Sequence, residues 1–357
     1  MSGRRRVWSN RNVESVTTSI TELAKSLNLS VSTVSRALNG YTDVAAATRE
    51  RIEAAAAEMG YRANPTARRL VSGKTSAIGV VLPSLVEEGQ FIDGMYSRLL
   101  AGVAKAVEGA GYHVFATTVA VGSPESELAL FGDFINGGWA DALLIVRTTV
   151  NDSRVKLAQA ANLPFVTYGR TDSSEPYSWV DPDNEEAFRL AAKRQTDFGH
   201  RRIALLNGPQ QYLFAKLRQR GYERGLAEAE LEYDPALVCY GNLSVADGFR
   251  LCTGLLKLPD RPTSILCATD AMAIGAISAC RSMGLVVGKD VSIVGYGNSE
   301  ASFYCDPPLT TIEHRVFANG LKVGEALLQL LRPGNKAQYT HLEPVELVAR
   351  ASDGPRI

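Results

Sequence analysis

From Ser76 onward the chain repeats one pattern, a short and nearly continuous apolar run followed by a longer amphipathic stretch. The runs are AIGVVLP (Ala77–Pro83), YHVFATT (Tyr112–Thr118), DALLIV (Asp141–Val146), PFVTYG (Pro164–Gly169), RIALLNG (Arg202–Gly208), LVCYG (Leu237–Gly241), SILCAT (Ser264–Thr269) and VSIVGYG (Val291–Gly297). Unbroken apolar runs of this length mark strands covered on both faces by crossover helices. The pattern predicts an α/β body of two parallel-sheet subdomains. Ligands of open parallel sheets sit beyond the carboxyl ends of the strands, so two facing subdomains place a pocket in the cleft between them. The strand-end candidates for its lining are Ser84, Phe91, Arg147, Thr148, Arg170 and Asp172, then Arg218, Asp270 and Asn298.

A different pattern precedes the body. SITELAKSLN (Ser19–Asn28) and SVSTVSRALNG (Ser30–Gly40) read as two short helices joined by a tight turn. Ser19 with Glu22 three residues on is a capping box, and Asn28 tolerates the left-handed conformation that ends a helix. Ile20, Leu23, Ala24 and Leu27 form the buried stripe of the first helix, and Val34, Ala37 and Leu38 that of the second, which Ser30 caps. Val31, Ser32, Ser35 and Arg36 are left facing outward. A small, polar helix face headed by one arginine suits entry into a DNA major groove, though an ordinary surface helix gives the same pattern. Asp43–Met59 supplies a third helical stretch, whose Ile52, Ala55, Ala56 and Met59 close a three-helix core before Gly60.

The net charge of zero hides an asymmetry: residues 1–74 hold 12 Lys and Arg against 6 Asp and Glu, and the remainder 26 against 32. A basic end on an acidic body attracts phosphate on one face only. Residues 1–18, with Arg4, Arg5, Arg6 and Arg11, are expected to be disordered, either a basic arm or, the preferred reading, a tail without a role. No apolar run approaches the length of a membrane span and no apolar segment follows the N-terminal arginines, so a cytoplasmic location is expected. Cys239, Cys252, Cys267, Cys280 and Cys305 form no CxxC and no cluster with the histidines, which argues for buried small hydrophobes and against disulfides or zinc.

TVSRALNG (Thr33–Gly40) and the run from Thr48 to Leu85 closely resemble the LacI/GalR (lactose-repressor/galactose-repressor) family of bacterial transcription regulators. The resemblance continues through FGHRRIALLNGP (Phe198–Pro209), LRQRGYERGL (Leu217–Leu226), TDAMAIGA (Thr269–Ala276), DVSIVGYGN (Asp290–Asn298) and PPLTTIEH (Pro307–His314). It implies a helix-turn-helix head over residues 19–62 and a hinge helix or linker over 63–75. Beyond these it implies a type-I periplasmic-binding-protein-like effector and dimerisation body over 76–357. Its subdomains are expected to comprise 76–180 plus about 300–330, and 181–299 plus about 331–357.

The resemblance also implies roles. Thr21, Val31, Ser32, Thr33, Ser35, Arg36 and Asn39 are the expected DNA contacts of the head, with Arg36 the one able to grip a guanine. Asn64, Ala67, Arg68 and Leu70 are those of the hinge, where paired leucines wedge a minor-groove step; a plain basic linker is the weaker alternative. Arg218, in the R-x-x-G-Y setting Arg218–Tyr222, matches the arginine that holds ligand in the family. For Asp270, Asp183 and Asn184, helix-capping roles are equal alternatives.

Nothing draws His113, His200, His314 and His341 together, and the chain has no GxGxxG, P-loop or nucleophile elbow. The expectation is a non-enzyme without cofactor or metal: a dimeric regulator, a repressor, of pseudo-palindromic operator DNA, controlled by a sugar, sugar acid or sugar phosphate. A solute-binding protein or an enzyme on the same fold is the alternative. An end at Ile357 without a heptad tail favours a dimer over a tetramer. Gly297 stands where most relatives carry an aspartate that accepts from sugar hydroxyls, while Arg147 and Arg170 add positive charge to Arg218. That balance argues for an anionic effector.

Overall fold

The computed structural model describes residues 18–38, 41–61, 73–84, 94–120, 124–335 and 337–356. The chain divides into two compact units, Met1–Thr75 and Ser76–Ile357.

The first unit contains α1 (Ile20–Leu27), α2 (Val31–Leu38) and α3 (Ala46–Glu58). Ser19 caps α1 through the capping box with Glu22, and Asn28 ends it at φ 55, ψ 44. Ser30 Oγ accepts from the Thr33 amide at 3.1 Å, the capping bond at the start of α2. Leu23, Ala24, Val34, Ala37, Ile52 and Ala56 form the buried core, with Ile20, Leu27, Leu38, Ala55 and Met59 packed partly buried around it. Gly60 follows α3 at φ +63.

The second unit carries two six-stranded sheets. The first is built from β1 (Ala77–Ser84), β2 (His113–Ala120), β3 (Ala142–Val146), β4 (Phe165–Tyr168), β5 (Ser178–Pro182) and β11 (Thr340–Glu343), in the order β11-β5-β4-β3-β1-β2 and parallel throughout. The second is built from β6 (Ile203–Asn207), β7 (Val238–Tyr240), β8 (Ser264–Cys267), β9 (Ser292–Tyr296), β10 (Thr310–Glu313) and β12 (Glu346–Val348), in the order β12-β10-β9-β8-β6-β7. Only the β10–β12 edge pair is antiparallel. All eight strands expected from the apolar runs are present, with ends shifted by one or two residues.

Helices α4 (Gly94–Val107), α5 (Pro124–Asn136), α6 (Ser153–Ala160), α7 (Asn184–Asp197), α8 (Leu213–Ala227), α9 (Val245–Leu256), α10 (Asp270–Ser282), α11 (Glu300–Tyr304) and α12 (Val316–Leu330) accompany the sheets, with two short 3-10 turns at Glu108–Ala110 and Pro235–Leu237. Apolar layers lie on both faces of each sheet, which is why the central strands β3 and β6 carry no polar alternation.

The chain passes between the sheets three times: from β5 into α7, from β10 into α12, and from β11 into β12. The expected exchanges near 300 and 331 are therefore corrected. Residues 300–313 stay with the second sheet, because Thr310–Glu313 is its fifth strand. Residues 331–343 stay with the first, because α12 packs along α4 and Thr340–Glu343 pairs with β5. The α4–α12 contact is close enough that a Cβ on Gly102 would strike the Phe317 carbonyl.

Candidate functional site

Loops from the carboxyl ends of the two sheets meet one another. Val150 N donates to Gln211 O at 2.9 Å, Leu213 N to Thr148 O at 3.3 Å, and Thr149 bridges Tyr212. The Tyr168 hydroxyl, at the end of β4, lies 3.1 Å from Nδ1 of His314, just past β10. Arg98 Nη1, from α4, donates to the Asn298 carbonyl at 3.4 Å. Strand ends of both sheets thus meet along one seam.

Arg218 is a buried cation of this region, 7% exposed. Its Nε donates to Asn184 Oδ1 at 2.8 Å and its Nη1 to Ala268 O at 2.6 Å. Three rings surround the guanidinium: Tyr296 at 3.9 Å, Phe214 at 4.6 Å and Phe188 at 5.7 Å. Burial disfavours the charged form and lowers its pKa from the usual value, while aromatic faces and hydrogen bonds compensate part of that cost. Helix α8 reaches this position because Gly221 and Gly225 let its backbone approach α7.

From Arg218 a chain of hydrogen bonds crosses the β5–α7 connection. Asn184 Nδ2 donates to Asp181 Oδ1 at 3.1 Å, and Asp181 Oδ2 accepts from Arg170 Nε at 2.7 Å. Burial pushes the Asp181 carboxyl up to about 6, against the opposing pull of Arg170. His314 stacks on Tyr296 with centroids 4.7 Å apart, and burial together with Arg218 and Arg98 lowers its pKa to about 3. The ring is neutral, and its Nε2 is buried without a hydrogen-bond partner among the described residues.

The other expected cleft residues separate into distinct roles. Arg147, at φ 52, lays its guanidinium over the Tyr212 ring at 4.6 Å. Its Nε is buried without a partner among the described residues. The loop it starts is fixed by Arg154, which bonds the Arg147 carbonyl, Asp152 and Glu127. Asp172 is bound to the same loop through its amide, 2.7 Å from Val150 O.

Asp270 is not the cap of α10; Thr269 fills that role, accepting from Met272 N. Asp270 Oδ1 instead accepts from Thr311 Oγ1 at 2.5 Å and Oδ2 from Ser299 N at 2.6 Å. Asp183 does cap α7, accepting from Glu186 N. Asn298 is held at both ends of its amide, by Glu313 at 2.8 Å and Arg350 at 2.6 Å, which makes it a seam residue. Ser84 ends β1, and Phe91 lies outside the described residues.

The charge balance differs from the one expected for an anionic effector. Arg170 already has a buried carboxylate partner. A carboxylate is also present beside Gly297: a Cβ there would lie 3.7 Å from Asp270 Oδ2. Sequence reasoning missed Asp181, Phe188, Phe214, Tyr296 and His314. It also missed a hollow of ≈ 520 Å³ lined by Gln210, Gln211, Ala215, Lys216, Gln219 and Tyr240, beside the ends of β6 and β7.

In the head, Val31, Ser32 and Arg36 are exposed on α2, Thr33 and Ser35 half-buried, and Thr21 exposed on α1. Ser30 Oγ lies 2.8 Å from both Ser32 Oγ and Thr33 Oγ1. Arg36 forms an ion pair with Asp43. Asn39, Asn64, Ala67, Arg68 and Leu70, and with them the hinge helix and the basic arm, lie outside the described residues. Among the described residues no group of His, Cys, Asp and Glu could hold a metal ion, and no helix is long and apolar enough to cross a membrane.

A helix-turn-helix unit in one chain with a two-lobed body of parallel sheets, whose strand ends meet around a buried arginine, defines the class of DNA-binding transcription regulators built on a periplasmic-binding-protein-like domain. Residues 19–64 match the family of bacterial regulatory proteins, lacI family, and residues 192–352 the periplasmic binding protein-like domain. The chain is 38% identical to the HTH-type transcriptional regulator AglR of Rhizobium meliloti (strain 1021) over 94% of each chain. Among solved structures it is similar to the lac repressor dimer bound to operator and the anti-inducer ONPF, at 30% identity and TM-score 0.80, covering 94% of this chain and 98% of that one. It is also similar to a transcriptional regulator CelR–cellobiose complex, at 28% identity and TM-score 0.72, covering 94% and 99%. The protein belongs to the LacI family of transcriptional regulators.

Proposed function

We propose that the protein is a homodimeric, sequence-specific repressor of pseudo-palindromic operator DNA, whose affinity is set by a neutral sugar bound in the cleft at Arg218. The observation that carries the ligand site is Arg218 itself, a buried guanidinium walled by Phe188, Phe214 and Tyr296. Sugar rings stack on aromatic faces, and their hydroxyls need donors and acceptors together. Arg218 and Arg147 supply donors; Asp270 and Asp181 supply acceptors. The arginine excess that favoured a sugar acid or phosphate is reduced by the Arg170–Asp181 pair. The similar structure holding cellobiose and the one holding operator agree with this reading. Ligand closing the cleft would shift the two lobes across the dimer and so decide whether the hinge segments order together on DNA.

The experiment is a calorimetric panel of neutral mono- and disaccharides beside their acid and phosphate forms, with the full-length protein and its Arg218→Met variant. A neutral sugar that binds the parent and not the variant supports the proposal. Binding confined to an acid or phosphate form, or untouched by the substitution, contradicts it.

A further inference from the structure

The head holds the exposed arginine of α2 in a pair. Arg36 Nη2 is ion-paired with Asp43 Oδ2, the side chains being 54% and 46% exposed, and the guanidinium lies 5.7 Å from the Tyr41 ring centroid. The turn that presents Asp43 is anchored to both flanking helices: Tyr41 N donates to Arg36 O at 3.0 Å, and Arg49 Nη2, from α3, donates to Tyr41 O at 2.6 Å. A carboxylate is therefore fixed beside the one cation of α2.

We propose that Asp43 is a positioning residue that sets DNA specificity by restricting what Arg36 binds; this rests on Arg36 reading a base. A carboxylate near DNA is repelled by the phosphates unless its cation stays with it. If Arg36 leaves for a phosphate, Asp43 is stranded against a polyanion, so that contact is disfavoured on any sequence. What the tether to Asp43 removes is freedom of orientation: a free arginine finds phosphates in many orientations, whereas a guanine edge needs one. That edge accepts two N–H groups in the plane of the fork, and the guanidinium carries five, so an Nη2 hydrogen remains for Asp43 while the base is gripped. Asp43 thus taxes non-specific contacts more than the specific one.

The test uses full-length protein and an operator selected from a random-sequence pool, with operator and random DNA titrated at several salt concentrations. Asp43→Asn, which keeps shape and removes charge, is expected to tighten random-DNA binding and to lower the operator-to-random ratio by about threefold or more. It also steepens the salt dependence on random DNA by about one phosphate contact. Asp43→Glu restores the ratio, and in an Arg36→Ala background Asp43→Asn leaves it unchanged. An Asp43→Asn protein of unchanged melting temperature whose ratio is unaltered, either because both affinities rise equally or because neither moves, overturns the proposal. Arg36→Ala alone tests the reading beneath it: equal losses on operator and random DNA defeat base reading by Arg36, a result distinct from any Asp43 outcome.

Discussion

Asp181, a carboxylate only 2% exposed, accepts a hydrogen bond from Arg170 Nε at 2.7 Å. This pair fixes the strand β5 immediately before the chain crosses into the second lobe, and it joins Arg170 to Arg218 through Asn184. Removing one member of a buried pair is more damaging than removing both, because the remaining charge has lost its compensation. Arg170→Met is expected to destabilise the protein by about 3 kcal/mol at pH 7.5. The loss shrinks at pH 5, below the value of about 6 to which burial already raises Asp181, because the carboxyl is then neutral. Urea titrations at both pH values measure this; an equal loss at each contradicts it.

His314 gives the opposite pH signature. Its folded-state pKa of about 3 lies below the ordinary 6.5, so in the acid range the unfolded chain takes up a proton that the folded chain refuses. The stability it contributes is complete above pH 6.5 and is lost as pH falls toward 3, by up to about 1.4 kcal/mol per pH unit. His200, lowered chiefly by burial, adds in the same direction. His314→Gln should flatten the acid-side decline between pH 6.5 and 4.5 without abolishing it. Melting curves across that range with an undiminished slope would refute the assignment.

Much of the fold is legible in the residues, and the missing parts share a cause. Apolar runs such as ALLIV and IALLN announce central strands. SWVDP (Ser178–Pro182) and TTIE (Thr310–Glu313) do not, since their polar residues bond across the sheet or to neighbouring loops. Missing TTIE, and THLE (Thr340–Glu343) after it, misplaced two exchanges between lobes. Arg218 is legible because its motif is local. Of its walls only Phe214, one turn before it on α8, is near in sequence; Phe188 and Tyr296 come from separate segments whose convergence nothing local signals. The pairing of Arg170 with Asp181 likewise depends on adjacent strands brought together by β4–β5 pairing.

The packing of α8 on α7 positions Arg218, and Gly221 is its tightest point. A Cβ there would collide with the Glu185 carbonyl, which is backbone and cannot swing aside. Gly221→Ala should cost about 1–3 kcal/mol and, by separating the helices, weaken sugar binding through the Arg218–Asn184 bond. Gly254→Ala is the control, because its Cβ meets nothing within 4 Å. Equal melting temperatures for the two variants would contradict this packing account.

Arg218→Lys should not rescue Arg218→Met. An ammonium cannot bond Asn184 and Ala268 in parallel while stacking on Tyr296, so both variants are expected to lose roughly tenfold or more in sugar affinity. Operator binding without sugar should be retained. A lysine variant with parental affinity in calorimetry would reduce the site to a point charge.

The central claim is that ligand in the cleft and operator at the head bias one equilibrium. The most direct measurement is reciprocal: operator affinity of the full-length protein with and without saturating sugar, and sugar affinity with and without saturating operator. The account predicts the same factor in both directions, on the order of 5 to 150, and its disappearance in Arg218→Met. Sugar that binds at Arg218 yet leaves operator affinity unchanged would contradict it.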